Sequence, residues 1–350
     1  MAARIYLDHA ATTPMRPEAV AAVADGFARW ANPSSPHAEG RAARAALEDA
    51  RARIAAALGW TGEVILTSGA SEAIALAMRG RRWAAGATEH DAVLRWADER
   101  LPVDAEGQVV FDHTRGPKAS HPAPSFRAAG ADALAIQHAN SETGVIQTQA
   151  RGGAPRLVDA SQSAGKLPLP DADLIAVSAH KLGGPPGIGA LLVRDLALLQ
   201  PTGGQEKGYR PGTENLPAAL GFAAALEAPR DWFAAMPALR AKLDTAIEAA
   251  GGEVIARDAP RIPTIASYRM PGVTAAAQLI RFDMAGFAVS AGSACSSGTM
   301  KRSHVLEAMR YPHPDEVIRV SFGWTTTEAD VDAFAAAWTR IASDARARAA

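Results

Sequence analysis

The stretch Asp173-Leu-Ile-Ala-Val-Ser-Ala-His-Lys-Leu-Gly-Gly-Pro-Pro-Gly-Ile-Gly-Ala-Leu-Leu-Val193 decides the fold. Its first apolar run, Leu174-Ile-Ala-Val-Ser178, is short, rich in branched residues and continuous, which predicts a strand buried on both faces of a sheet. Gly183, Gly184, Gly187 and Gly189 then let the chain turn and let a ligand come close to the backbone. Between the two sits Lys181, a cation at the end of an apolar strand. A desolvated amine there has a depressed pKa and can attack an aldehyde, so Lys181 reads as a Schiff-base lysine. The competing reading is a lysine that snorkels from a strand end to solvent.

Working outward, Glu63-Val-Ile-Leu-Thr67, Ala133-Leu-Ala-Ile-Gln-His138 and Arg156-Leu-Val-Asp159 also read as buried strands. Alanine-rich residues 17–30 and 40–58 carry apolar positions at helical spacing. This alternation predicts an α/β fold with a mostly parallel sheet covered by helices, its ligands lying outside the carboxyl ends of the strands. From Pro229 onward a long helix is expected over residues 231–250. Mixed segments follow, including Glu253-Val-Ile-Ala and Glu316-Val-Ile-Arg-Val-Ser-Phe322, and then a final Ala-rich helix. A smaller second domain is placed there. Residues 113–130, rich in Pro, Gly and Ser, read as a surface excursion.

A chain of 350 residues suits a large α/β body with a smaller appended domain. Lys and Arg total 36 against 37 Asp and Glu, so no overall basic field points to nucleic acid or an anionic membrane. The first residues lack the pattern of a signal peptide, and no run of about 18 apolar residues occurs. A cytoplasmic protein is therefore expected. The single cysteine, Cys295, cannot form an internal disulfide, so any thiol chemistry runs through it.

Several polar groups follow the strands. Thr67-Ser-Gly-Ala-Ser-Glu72 lies between a strand and an apolar helix, where free N–H groups and the helix dipole suit a phosphate. It would equally serve as an ordinary N-cap with Ser71 as the capping side chain. Ser178 and His180 add donors beside Lys181. Pyridoxal phosphate carries both a phosphate and an aldehyde and would use the two sites together. That cofactor also needs a carboxylate against its ring nitrogen. Asp159 ends its strand and is placed to supply one, or else is an N-cap aspartate. His90, in Glu89-His90-Asp91, can stack on a planar ring or move protons. Cys295 lies in Val289-Ser-Ala-Gly-Ser-Ala-Cys-Ser-Ser-Gly298, a run too rich in Gly and Ser for a packed element, and solvent access is what a nucleophilic thiolate requires. Arg319, alternating with apolar residues in Ile318-Arg-Val-Ser-Phe-Gly323, can grip a carboxylate through two hydrogen bonds or sit in a salt bridge.

With these residues in place, the chain resembles the cysteine desulfurases of the class V aminotransferase group. The resemblance is carried by ordered motifs from end to end: Tyr6-Leu-Asp-His-Ala-Ala-Thr-Thr-Pro14, Asn32-Pro-Ser-Ser-Pro-His37, Thr67-Ser-Gly-Ala-Ser-Glu72, Glu89-His90, and His138-Ala-Asn-Ser-Glu-Thr-Gly-Val-Ile-Gln147. Further on come Val158-Asp-Ala-Ser-Gln-Ser-Ala-Gly-Lys166, Ser178-Ala-His-Lys181, Gly203-Gly-Gln-Glu-Lys-Gly-Tyr-Arg-Pro-Gly-Thr-Glu-Asn215, Ser290-Ala-Gly-Ser-Ala-Cys-Ser-Ser297 and Arg319-Val-Ser-Phe-Gly323. The cysteine loop is similar to the subgroup whose nucleophile rides on a longer flexible segment.

The resemblance implies the pyridoxal-phosphate transferase type I (aspartate-aminotransferase-like) fold. A large pyridoxal-phosphate-binding domain would span residues 13–228. A smaller α+β domain of residues 1–12 and 229–350 would carry the Cys295 loop. It implies a homodimer in which Lys181 holds the cofactor, Asp159 faces the pyridine nitrogen, Gln162 bonds the ring hydroxyl and His90 stacks on the ring. The phosphate would meet Ala70, Ser71, Ser178 and His180, with Thr213 reaching across from the partner subunit. Arg319, with Asn32 nearby, would hold the substrate carboxylate, and Asn140 and Ser141 would touch cofactor or substrate. Lys181 would remove the Cα proton of L-cysteine, and Cys295 would take its sulfur as a persulfide, releasing L-alanine. The sulfur would pass to an acceptor such as an iron–sulfur scaffold, or serve tRNA thiolation. No metal is expected. Ser141 stands where the family usually has a second asparagine, and Ser71 where it has threonine. A selenocysteine lyase, an aminotransferase, or a cofactor-binding paralogue acting as an interaction protein are the alternatives.

Overall fold

The computed structural model describes residues 4–111, 130–149, 153–292 and 302–349. The expected surface excursion at 113–130 lies almost wholly outside the described residues, as does Cys295.

In chain order the elements begin with β1 (Ile5–Tyr6), α1 (Pro17–Ala28), α2 (Ala38–Ala57), β2 (Glu63–Thr67), α3 (Ala70–Met78), β3 (Trp83–Gly86), α4 (Asp91–Leu94) and β4 (Ala97–Leu101). They continue with β5 (Ala133–Ala135), β6 (Arg156–Asp159), β7 (Leu174–Ser178), β8 (Gly189–Val193), α5 (Leu216–Glu227) and α6 (Trp232–Ala249). Last come β9 (Glu253–Val254), β10 (Ile265–Arg269), α7 (Ala275–Met284), β11 (Phe287–Ala288), α8 (His304–Ala308), β12 (Val317–Ser321) and α9 (Glu328–Ala349).

Among the described residues the main sheet has seven strands in the order β2-β8-β7-β6-β5-β3-β4. β8 is antiparallel to both its neighbours, while β7, β6, β5, β3 and β4 pair parallel. The fold is thus the mostly parallel α/β sheet that the alternating pattern implies. Every residue of β7 and of β8 is buried, which is why both read as unbroken apolar runs rather than alternating ones. One apolar core lies against α2 and α5, with Leu47, Ile54 and Phe222 wholly buried. The other gathers Ile74, Trp83 and Leu191 under α3.

A third core is built from β9, β10 and β12, an antiparallel sheet in the order β12-β10-β9, packed on α6, α7 and α9. Phe282 stacks on Phe334 and on Trp338 there, with ring centroids 4.8 and 5.9 Å apart. The N-terminal segment joins this part of the molecule: β1 runs parallel to β11, and Asp8 bridges Ser321. Among the described residues no helix is long and apolar enough to cross a membrane.

Two expected strands are shorter than their apolar runs. β5 stops at Ala135 because Gln137 donates its N–H to the Glu89 carboxylate and its side-chain amide to Thr88, turning away from regular pairing. The strand beginning at Glu253 ends at Val254, because Ala256 takes a positive φ of 52° and the chain turns.

Two arrangements fix the strand ends that bear the polar loops. Gly189 begins β8 where an added Cβ would meet the Gly69 Cα at 2.7 Å and the Val177 carbonyl oxygen at 2.4 Å, so the loop between β2 and α3 lies directly on it. The buried Glu206 carboxylate accepts both arms of the Arg51 guanidinium, at 2.6 and 3.1 Å, and the Leu66 N–H at 2.8 Å. It thereby ties α2 to the end of β2.

Candidate active site

A cavity of about 500 Å³ opens at the carboxyl ends of β2, β3, β6 and β7. That volume suits a small-molecule ligand. Lys181 closes a single 3-10 turn, Ala179–Lys181, directly after β7. Its amine makes no hydrogen bond or ion pair with the described residues, and it lines the cavity. Burial lowers its pKa, the Asp159 charge raises it, and the Arg319 charge lowers it further, the net direction being downward. An amine so placed spends more time neutral, which is the nucleophilic and basic form.

Asp159, at the end of β6, also lines the cavity. Its Oδ1 accepts the Ser161 N–H at 2.9 Å and the Ser161 hydroxyl, so the carboxylate does cap the turn that follows. Its Oδ2 has no partner among the described residues. One oxygen orients the group, and the other remains for a donor in the cavity.

His90 stands at the N-cap of α4, its Nδ1 accepting the Ala92 N–H at 3.1 Å. Nε2 is then the protonated nitrogen of the neutral ring, and burial pulls the pKa down. His180 bonds the Thr12 hydroxyl through Nδ1 at 3.1 Å, and burial with the nearby Lys181 takes its pKa down to about 4. Both imidazoles are neutral at physiological pH.

The loop Ser68, Gly69, Ala70 and Ser71 forms one wall. Gly69, not Ser71, occupies the N-cap of α3, and no side chain caps the helix. The free N–H groups of this first turn face a site that Ser178 also lines, an arrangement suited to an anion.

Arg319, in the middle of β12, reaches the cavity from the other sheet. Its Nη2 donates to Asp8 Oδ1 at 2.7 Å and its Nη1 to the Ser141 carbonyl at 3.0 Å, while Nε is buried without a partner among the described residues. The guanidinium is therefore already oriented by a carboxylate and a carbonyl.

Of the residues singled out from sequence, Lys181, Asp159, His90, Ala70, Ser71, Ser178, His180, Ser141 and Arg319 line this one cavity. Gln162 lies behind it, donating to the Ala10 carbonyl at 2.9 Å with its Oε1 buried and unpartnered. Asn140 is buried beneath it, donating to Thr88 and accepting from the Glu142 and Thr143 N–H groups, so its amide organises the turn. Asn32 is exposed and accepts from Ser34, and Thr213 is exposed; neither lines the cavity.

Three lining residues carry no role in the sequence reading. Glu89 is completely buried, with Oε1 accepting the Gln137 N–H at 2.6 Å and Oε2 unpartnered; burial, reinforced by the Asp159 charge, raises its pKa well above the carboxylate range. Glu142 is buried, accepts the Ser303 hydroxyl, and is also raised by burial. His304 bonds the Glu89 carbonyl through Nε2 at 2.8 Å. Glu89 adjoins His90 in sequence, yet only the tertiary packing distinguishes it from a surface carboxylate.

The unpartnered Oδ2 of Asp159, the unpaired amine of Lys181 and the open first turn of α3 fit the ring nitrogen, aldehyde and phosphate of pyridoxal phosphate. The chain belongs to the class-V aminotransferase family, whose pattern matches residues 5–334. It is 36% identical to the IscS-like cysteine desulfurase of Mycobacterium tuberculosis over 94% of this chain and 93% of that protein. It is 34% identical to a cysteine desulfurase of Cereibacter sphaeroides, over 94% and 93% respectively. Among solved structures, a NifS-like protein superposes with a TM-score of 0.82 at 26% identity, covering 97% of this chain and 99% of that one. The structure titled SspA in complex with cysteine superposes with a TM-score of 0.73 at 27% identity, covering 91% and 98%.

Proposed function

We propose that this chain is a pyridoxal-phosphate-dependent cysteine desulfurase, converting L-cysteine to L-alanine and passing the sulfur, as a persulfide on Cys295, to an acceptor protein such as an iron–sulfur scaffold. The observation that carries the reading is the convergence of an unpaired, buried Lys181 amine, a half-free Asp159 carboxylate and the Arg319 guanidinium on one cavity. Cysteine desulfurases similar over most of the chain support the choice of substrate.

When bound, the cofactor supplies an aldehyde carbon and an electron-withdrawing pyridinium ring. Asp159 Oδ2 would hold the proton on the ring nitrogen. His90 would lie against the ring face, and Ala70, Ser71, Ser178 and His180 would surround the phosphate. Arg319, already steered by Asp8, would present its remaining donor capacity to the substrate carboxylate. The Lys181 amine, kept partly neutral by burial, would accept the Cα proton. The Cys295 thiolate would attack the substrate sulfur; the carbon–sulfur bond breaks, a sulfur–sulfur bond forms, and Cβ gains a proton to give alanine.

The division into a large domain of residues 13–228 and a small one of 1–12 with 229–350 belongs to the same proposal. So do action in the cytoplasm and a homodimer in which Thr213 serves the partner's site. Support for the dimer comes from Val20, Phe27 and Trp30, which are 51, 69 and 79% exposed on and just after α1.

The test incubates the purified protein with pyridoxal phosphate, L-cysteine and a reductant, and follows sulfide and alanine. Both are expected to appear in equal amounts, with added sulfur on Cys295 by mass spectrometry. Lys181→Ala is expected to lose both products, and Cys295→Ser to lose persulfide transfer. A Cys295→Ser enzyme that keeps the wild-type turnover of its amino-acid substrate would point to a selenocysteine lyase or aminotransferase instead, for which Cys295 is dispensable.

A further inference from the structure

A second, much smaller cavity of about 20 Å³ lies beside Lys181, lined by Thr13, Arg16, Lys166, Lys181, Trp232 and Trp324 among others. Its size admits a single water-sized particle. Three of its lining residues are basic and none is acidic.

Most of the side-chain polar groups around it are donors, the Thr13 hydroxyl oxygen being also an acceptor. Arg16 Nε and Trp232 Nε1 are buried and have no hydrogen-bond partner among the described residues. The Lys166 amine donates only to the Gln162 carbonyl, at 3.0 Å, leaving two of its three donor positions unused. The Thr13 hydroxyl proton is shared between the carbonyls of His9 and Lys181, at 3.2 and 3.3 Å, and the Trp324 N–H goes to Pro14 at 2.9 Å. A water molecule would satisfy those free donors but would have to place two protons of its own. A halide accepts from several donors and has no proton to place.

Charge points the same way. Among the described residues the nearest carboxylate to Arg16 is that of Glu18, 3.7 Å from Nε and itself 46% exposed, and Lys166 has no acidic partner. The Arg16 guanidinium lies instead over the Trp324 ring, 5.2 Å from its centroid. A buried cation is costly when its counter-charge is absent, as for Lys166, or long and half-exposed, as for Arg16, and an anion between the two offsets the cost. In its absence, burial and the nearby Lys181 charge pull the Lys166 amine down to about 7.

We propose that this cavity binds one halide ion, held by Arg16, Lys166 and Trp232 beside the lysine of the main site. Lys181 lines both cavities, so an ion in the small one acts electrostatically on the amine in the large one.

Crystals of the holoenzyme grown without halide and soaked in sodium bromide provide the direct test. One anomalous bromine peak is expected between Arg16, Lys166 and Trp232, and none there in Arg16→Met or Lys166→Met. In solution, the wild-type unfolding midpoint is expected to rise in sodium chloride relative to sodium gluconate at equal ionic strength, and the increment to vanish in Arg16→Met. Water density without an anomalous signal in the wild type overturns the proposal even when neither variant folds. A peak that survives both substitutions overturns it, and so does a bromide peak without any chloride-specific shift in solution.

Discussion

Glu89 is a carboxyl that the fold obliges to keep its proton. Its folded pKa is raised well above its unfolded value near 4.3. The folded state therefore binds more protons than the unfolded one once the pH passes that value, and stability falls as pH rises until the folded pKa is reached. The slope is about 1.4 kcal/mol per pH unit for one group. Glu89→Gln keeps the acceptor for the Gln137 N–H and removes the titration. Denaturant titrations at pH 5 and pH 7 are expected to show a smaller loss in Glu89→Gln than in the wild type; parallel losses would refute the assignment. The sequence made Lys181, Asp159 and Arg319 legible because a charge at the end or middle of an apolar strand needs a reason. Glu89 and Glu142 escaped that reading because their burial comes from residues distant in the chain, such as Gln137 and Ser303. Asn140 shows the opposite case, a motif amide whose hydrogen bonds all turn inward.

At the scale of elements, the loop that would hold a phosphate owes its position to the packing beneath it. Glu206 is 2% exposed and joins α2, β2 and the turn after β8 through the Arg51 fork and the Leu66 N–H. Glu206→Gln takes the buried carboxylate from the Arg51 guanidinium and leaves it only the part-exposed Glu48, 3.0 Å from Nε. Such a loss costs about 3–5 kcal/mol, so the denaturation midpoint is expected to fall with the m-value unchanged. A midpoint within error of the wild type would show the pair to be dispensable. Nothing in the sequence announced this pair, because 155 positions separate its members. Some strands, by contrast, were readable from composition, as in the wholly buried apolar run of β7, whereas the equally buried β3 and β8 were not singled out. Reading failed where local contacts cut a run short, at Ala135 and Val254.

For the molecule as a whole, the exposed Val20, Phe27 and Trp30 make a self-association surface the natural expectation. Sedimentation of the wild type should give twice the mass of one chain, and Phe27→Lys combined with Trp30→Lys should give half of that. A monomeric wild type would remove the argument that Thr213 serves a neighbouring site. One feature of the architecture also bears on how the protein is made. Asp8 meets Arg319 across 311 positions, and β1 pairs with β11. At ordinary rates of synthesis, on the order of tens of seconds separate the emergence of these partners from the ribosome. The segment around Asp8 is thus among the last to settle, and a chain released early would leave Asp8 without the guanidinium that it orients.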